Sequence, residues 1–371
     1  MVKAADLSHA KSRMVGVLVN NVGGYSRAVI RGIATFAFAR AWNCRAEGVN
    51  VERLLDGVRD YDGLIVQASQ RDLQRILRKC DVPVVNVSSA VERYETSSVV
   101  TDDRAVGRLA AEYFERRGFR RLVYFKPDAR QFAQLRENGF LSRAASAVVA
   151  TTESQLLAAV KPDEPTAVFG CNDRAALRVL DWCRKQKLAV PEQVAVLGVD
   201  NDDLVQSLAN PPLSTINTAR ERIGFEAAAL LERRMSGEAM DTVPQLIAPG
   251  GVLTRRSTDL LAIDDDAVAA AVRFIDTNAG QRIGVEDVAR EVAVSRRQLE
   301  RRFRDVLGRT MLEEIKRGRV ERARQMLTTT DLTLQQIADA AGFNSAGYFS
   351  TVFAQEVGQT PGEFRKQRRV G

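Results

Sequence analysis

Arg296, Arg297, Glu300 and Arg301 crowd one short amphipathic stretch, with Leu299 and Phe303 spaced to face the other way. An arginine so presented can bond both O6 and N7 of a guanine, and a glutamate can accept from the cytosine amine. Each such arginine would equally serve as a phosphate contact that positions without specifying. A second stretch further on places Ala346, Gly347, Tyr348 and Thr351 in the matching order. These small and aromatic side chains suit thymine methyls and sugar rather than G·C pairs. A different chemistry is offered by Asp102, Asn172, Asp173 and Asp200, each just past a strand-like run, together with Arg136. Carboxylates and a guanidinium beyond the carboxyl ends of parallel strands suit a polyhydroxyl ligand, whose hydroxyls both donate and accept. Taken singly, Asp173 and Asp200 would serve as well as helix caps or turn residues.

Catalytic chemistry finds no such cluster. His9 is the only histidine, which removes Ser-His-Asp, Cys-His and histidine–metal arrangements together. Gly24-Tyr25-Ser26-Arg27-Ala28 starts like a nucleophile elbow but lacks the closing glycine, and neither a phosphate-binding Gly-Lys loop nor G-x-G-x-x-G occurs. Cys44, Cys80, Cys171 and Cys183 are scattered, without metal-ligand or disulfide spacing, as expected of a reducing compartment. No catalytic residue, metal or cofactor is therefore expected. The chain has no apolar run of membrane-spanning length and no signal-peptide pattern at its start, so a cytoplasmic location is expected. Of its formal charge of +7, a net +5 falls after residue 267, a basic third on a near-neutral front, as a polyanion partner would require.

The elements that must position these residues follow two patterns. In the front part, strand-like runs at Met14–Val19, Gly63–Val66, Pro83–Val87, Leu122–Phe125, Ala167–Phe169 and Val194–Val199 alternate with helix-length amphipathic segments at Tyr25–Arg40, Asp72–Lys79, Ala105–Arg117, Asp173–Lys187 and Ala219–Met235. This alternation predicts an α/β fold of doubly wound parallel sheets. The acid-rich stretch 259–266 reads as a linker between a sensing and dimerisation domain, residues 1–258, and an all-α domain, residues 267–371.

That all-α tail contains a repeat. Val285–Gly308 superposes on Leu334–Gly358, matching Val288 with Ile337, Ala289 with Ala338, Ser295 with Ser345, Leu299 with Phe349 and Phe303 with Phe353. The second copy has one extra residue in its turn. Each copy is a short helix, a tight turn and a second helix, the layout of a helix-turn-helix. Ser295 with Gln298, Thr333 with Gln336 and Thr360 with Glu363 read as capping boxes, and Met311–Leu327 reads as one helix holding the copies apart.

The second copy follows I-A-x-x-x-G-F-x-S-x-x-Y-F-x-x-x-F-x-x-x-x-G-x-T-P-x-x-F-R from Ile337 to Arg365, and the tail resembles the AraC-type activators over its whole length. The resemblance implies double-stranded DNA read by both units, homodimers on promoter half-sites, and contact with RNA polymerase. The front resembles the periplasmic-binding-protein-like sensor of the LacI type. Thr101-Asp102-Asp103, Arg136-Glu137-x-Gly139-Phe140, Phe169-x-Cys171-Asn172-Asp173, Ala195–Asp202 and Arg255-Arg256-Ser257-Thr258 carry that likeness. It implies two lobes joined by crossovers near Val99–Thr101, Ser214–Asn217 and Pro244–Val252. A LacI-type sensor on an AraC-type tail resembles the arrangement of xylose-operon activators, which Tyr25-Ser26-Arg27 also fits. It implies control of carbohydrate catabolism by a monosaccharide, D-xylose foremost, with Tyr25 and Arg27 added to the ligand set. A non-pentose ligand, or a ligand-free dimerisation front, is the alternative. Two departures stand out: Gly139–Pro165 is short for a strand–helix–strand of this fold, and Gln67-Ala68-Ser69 stands where an acidic sugar contact is expected.

Overall fold

The computed structural model describes residues 13–20, 24–46, 50–128, 130–161, 164–330 and 332–366; His9 lies outside them. The chain divides into two compact units, one taking the residues up to Thr101 with Arg220–Ile247, the other Asp102–Ala219 with the chain from Ala248. It thus passes between units after Thr101, after Ala219 and after Ile247, at or within a few residues of the three expected crossovers.

The first unit opens with β1 (Met14–Leu18), α1 (Gly24–Ala39), β2 (Asn43–Ala46), α2 (Val51–Asp56), β3 (Gly63–Val66), α3 (Gln70–Lys79), β4 (Val84–Asn86) and β5 (Val99–Thr101). The second continues with α4 (Asp103–Arg116), β6 (Arg121–Phe125), α5 (Gln131–Leu141), β7 (Val148–Ala150), α6 (Glu153–Ala159), β8 (Thr166–Gly170), α7 (Asp173–Gln186), β9 (Val194–Val199), α8 (Asp203–Leu208) and β10 (Ser214–Asn217). The chain returns to the first unit for α9 (Arg220–Met235) and β11 (Gln245–Ile247). Then come β12 (Gly251–Leu253), α10 (Asp266–Thr277), α11 (Val285–Glu291), α12 (Arg296–Leu307), α13 (Met311–Thr329), α14 (Leu334–Ala340), α15 (Ala346–Val357) and α16 (Pro361–Lys366).

The first unit's main sheet runs β2-β1-β3-β4, every pairing parallel. The second unit's sheet runs β12-β10-β9-β8-β6-β7, parallel except for the antiparallel edge strand β12. β8 and β9 are buried along their whole length, which is why they read as unbroken apolar runs instead of alternating ones. The short stretch between Gly139 and Pro165 still accommodates β7 and α6, the latter started by a capping box of Thr152 and Gln155.

Two glycines set the distance between α4 and α5. A Cβ on Gly107 would lie 2.0 Å from the Arg136 carbonyl oxygen, and one on Gly139 would lie 2.0 Å from that of Arg104. The two helices therefore touch backbone to backbone.

The tail has two small cores. Val268, Val272, Ile275, Val288, Leu299 and Phe303 belong to one; Ile337, Ala338, Phe343, Phe349, Phe353 and Phe364 belong to the other. Helix α13 feeds both, with Met311 and Ile315 in the first and Val320, Ala323 and Leu327 in the second. The stretch read as a linker is not a free tether: Ile263 is buried in the first tail core, Leu260 and Ala262 pack on the sensor core, and Ala262 N–H donates to the Arg117 carbonyl. Apolar residues interleaved with the acids explain the packing; the acids alone suggested a linker.

Candidate functional site

In the second unit the polar residues gather around Arg136, which is only 3% exposed. Its Nε donates to Asp103 Oδ1 at 2.8 Å and its Nη1 to the Cys171 carbonyl at 2.5 Å, while Nη2 lies 3.9 Å from Asp200 Oδ1. The guanidinium also stacks over Phe132, 4.9 Å from the ring centroid. Burial by itself would lower the Arg136 pKa, but Asp103 and Asp200 outweigh it and the net shift is upward, so the cation is fixed. Burial pushes the neighbouring Cys171 thiol up to about 12, which leaves it a neutral wall of the site and no nucleophile.

Asp200 occupies a strained turn, with φ of 107° followed by 48° at Asn201. Asp200 N–H donates to the Ile216 carbonyl and Asn201 N–H to Thr215 Oγ1. Asp202 N–H donates to Asp173 Oδ2 at 2.8 Å, and Arg255 Nη2 to Asn201 Oδ1 at 2.8 Å. Backbone and buried side chains thus aim Asp200, whose carboxylate remains 19% exposed.

The predicted ligand set divides on this geometry. Arg136 and Asp200 come together at the carboxyl ends of β8 and β9. Asp102 and Asn172 flank them as N-caps of α4 and α7, accepting from Ala105 and Ala175 N–H at 2.8 Å each. Asp173 turns inward: it is 1% exposed, one oxygen takes the Thr215 hydroxyl at 2.6 Å and the other the Asp202 amide. It buttresses the Asp200 turn. Asp103, Thr215 and Arg255 were not anticipated; the Thr101-Asp102-Asp103 run was the one signal that could have led to Asp103. In the first unit, Tyr25 Oη donates to the Val87 carbonyl at 3.0 Å, Ser26 Oγ bonds Gln67 Oε1 at 2.8 Å, and Arg27 is half-buried on the same turn of α1. Gln67, singled out as a departure, is thus held by the segment that carries Tyr25 and Arg27.

In the tail, Leu299 and Phe303 are buried and Arg296, Arg297 and Arg301 are exposed, with Glu300 half-buried. The arginines are not equivalent. Arg296 Nε donates to Glu300 at 2.9 Å and its Nη1 pairs with Glu286, so both predicted readers Arg296 and Glu300 are engaged with each other. Arg297 and Arg301 make no ion pair or side-chain hydrogen bond among the described residues. In the second helix-turn-helix Ala346 is half-buried while Gly347, Tyr348 and Thr351 are exposed; Thr351 Oγ1 donates back to the Gly347 carbonyl at 3.2 Å.

The turns separate the units further. Four residues, Val292 to Ser295, join α11 to α12, and Ala293 takes φ of 56°; five, Ala341 to Ser345, join α14 to α15, with Gly342 at φ of 75°. Thr333–Gln336 and Thr360–Glu363 form the expected capping boxes. Ser295 does not: at φ −58° and ψ 140° its hydroxyl makes no cap bond, whereas Ser345, at φ −158° and ψ 155°, accepts from Tyr348 N–H. Thr310 with Glu313 forms a box that starts α13.

Comparison with known proteins matches both halves. Residues 111–258 match the periplasmic binding protein-like domain and residues 288–367 a helix-turn-helix domain. The xylose operon regulatory protein of Escherichia coli K12 is 27% identical over 382 residues, covering 96% of this chain and 97% of its own. That of Haemophilus influenzae is 35% identical over 200 residues, 54% of this chain and 52% of its own. The solved structure of a xylose-binding transcription activator superposes with a TM-score of 0.61 at 26% identity, covering 96% of this chain and 98% of that one. The chain is thus similar along nearly its whole length to the Escherichia coli regulator and to the solved activator. No helix among the described residues is long and apolar enough to cross a membrane.

Proposed function

We propose that this chain is a DNA-binding transcription regulator of the AraC type, an activator of carbohydrate catabolism, whose front half senses D-xylose. The carrying observation is the pairing of two sites in one chain: exposed Arg297 and Arg301 on a recognition helix, and an aimed Arg136–Asp200 pair at the carboxyl ends of parallel strands. A buried guanidinium donates to sugar hydroxyls and a mostly buried carboxylate with about one-fifth of its surface open accepts from them, so between them they satisfy both halves of a hydroxyl's bonding capacity. Xylose enters from the names of the whole-length relatives. Those relatives are regulators, which speaks for regulation over catalysis. By the same family likeness the chain acts in the cytoplasm as a homodimer on promoter half-sites and touches RNA polymerase.

On this reading the sugar acts by differential affinity, favouring the sensor conformation that surrounds it. Asp102, Asn172, Tyr25 and Arg27 complete the ligand set, and Asp173 and Arg255 support it from behind. D-xylose should raise the melting temperature of the wild type, and Asp200→Ala should abolish that rise without lowering the melting temperature of the sugar-free protein by more than about 3 °C. An unchanged rise removes Asp200 from the site; no rise with any pentose or hexose contradicts the sensor. DNA binding should weaken steeply between low and moderate salt, in proportion to the phosphates neutralised.

A further inference from the structure

The face between the sensor sheet and the helical tail is built of charge. The sensor core and the two tail cores are separate apolar clusters. Between them lies a cavity of about 490 Å³ whose lining includes Tyr113, Arg116, Asp276, Glu314, Glu321 and Gln325. At its floor Glu314, on the first turn of α13, is 0% exposed. One of its carboxylate oxygens takes Arg116 Nε at 2.9 Å, the other Arg309 Nε at 2.5 Å. Arg309 Nη2 donates in turn to the Arg116 carbonyl at 2.9 Å, and Arg116 Nη2 reaches Asp276 at 3.3 Å. Two turns along α13, Glu321 Oε1 accepts from Val252 N–H at 3.0 Å and Gln325 Nε2 donates to the Val252 carbonyl at 3.0 Å. These side chains give β12 the backbone partners that its open edge lacks.

Helix α4 connects this joint to the effector site. Its first residue, Asp103, holds Arg136; its last, Arg116, holds Glu314. Fourteen residues of helix span about 21 Å, and the glycine contact with α5 makes the rod stiff. A buried carboxylate between two guanidiniums has no good intermediate position: it is fully engaged or it is an uncompensated charge. An apolar seam would yield gradually, whereas this joint holds or releases. Both arginines offset the desolvation of Glu314 and keep its carboxyl below the usual range, so it is ionised at neutral pH.

We propose that Glu314 is the clasp through which effector binding at Arg136 and Asp200 reaches the DNA-binding half, with α4 as the rod and Arg116 as its working end. The docking leaves Arg297 and Arg301 exposed, so the clasp positions the reading helices without covering them. Glu314, Arg116 and Arg309 are positioning residues, touching neither sugar nor DNA. The signalling part of the proposal rests on the sugar-sensing reading above; the clasp itself does not.

Two arms separate them, both on the full chain carrying Glu314→Gln or, as a second variant, Arg116→Gln. Without sugar, amide exchange at residues 251–254 and 311–325 should rise by about tenfold or more in either variant. Exchange equal to wild type in both overturns the clasp. In the second arm, operator DNA recovered by selection is titrated with and without D-xylose, and D-xylose binding is measured by calorimetry. The variants should bind D-xylose within about twofold of wild type, while the ratio of DNA affinities with and without sugar falls toward one. A wild-type ratio kept in both variants overturns the transmission role. A wild type indifferent to D-xylose overturns the sensing reading and the transmission with it, and the exchange arm still decides the clasp.

Discussion

In the first helix-turn-helix unit Val288, Ala289, Leu299 and Phe303 fill the interior; in the second Ile337, Ala338, Phe349 and Phe353 fill the same places, all buried. Outside, the first presents Arg297 and Arg301 and an Arg296 tied to Glu286 and Glu300, while the second presents Gly347, Tyr348 and Thr351. One architecture thus carries two surfaces of different chemistry. Interior volume and turn geometry decide whether the unit forms, and a handful of outward side chains decide what it reads.

The strongest way to break this comparison is through the interiors. Phe303→Ala and Phe353→Ala should each cost about 3–5 kcal/mol, lowering thermal stability of the tail and removing DNA binding alike. A large cost in one unit alone would mean that the two cores are not equivalent. The turns should separate the units next. A Cβ on Gly342 would lie 2.4 Å from the Gln281 carbonyl oxygen, at a positive φ that already disfavours a side chain by about 1–2 kcal/mol. Gly342→Ala should therefore cost more than that strain alone. Ala293→Gly, which relieves the same kind of strain in the first unit, should be neutral or mildly stabilising in a melting experiment.

The surfaces come third. Arg297→Ala and Arg301→Ala should each lower operator affinity by about 1–3 kcal/mol and relax the preference at single G·C positions, read by randomised-site selection. Arg296→Ala should cost less, because the lost contact is first of all with Glu286 and Glu300. Tyr348→Ala should have the smallest effect, under about 1 kcal/mol, with sequence preference nearly kept. If the bases under the second unit prove the more sharply specified, the assignment of reading residues is wrong.

How far the sequence led depended on what each residue's neighbours were. The long buried strands and the helices α1, α3, α4, α7 and α9 were legible to within a residue or two, since β3 and β9 are unbroken apolar runs and α9 a long amphipathic segment, whereas α2, α5, α6 and α8 were not read as helices. The short strands β2 and β7 were not legible either: Asn43–Ala46 is exposed along its length, and Val148–Ala150 passes from exposed to buried within three residues, too short for an apolar run or an alternation to show. In the proposed effector site, Arg136 and Asp200 stand in motifs, whereas the burial of Asp173 depends on Thr215, 42 residues away, whose hydroxyl donates to one of its oxygens. The same holds for Arg296, whose exposure fits a base reader and whose partner Glu286 lies one helix earlier. Pairing between elements, which no local pattern encodes, sets Asp173 and Arg296 apart from Asp200, Arg297 and Arg301.

The measurement that bears most directly on a sugar-controlled DNA-binding protein is a calorimetric titration of D-xylose into the full chain, free and bound to selected operator DNA. If the sugar changes DNA affinity, the DNA must change sugar affinity by the same factor. The account predicts saturable binding at one site per chain, with dissociation constants that differ between free and DNA-bound protein by about 5–150-fold, the usual span of such couplings. Identical constants, or no binding in either state, would contradict it.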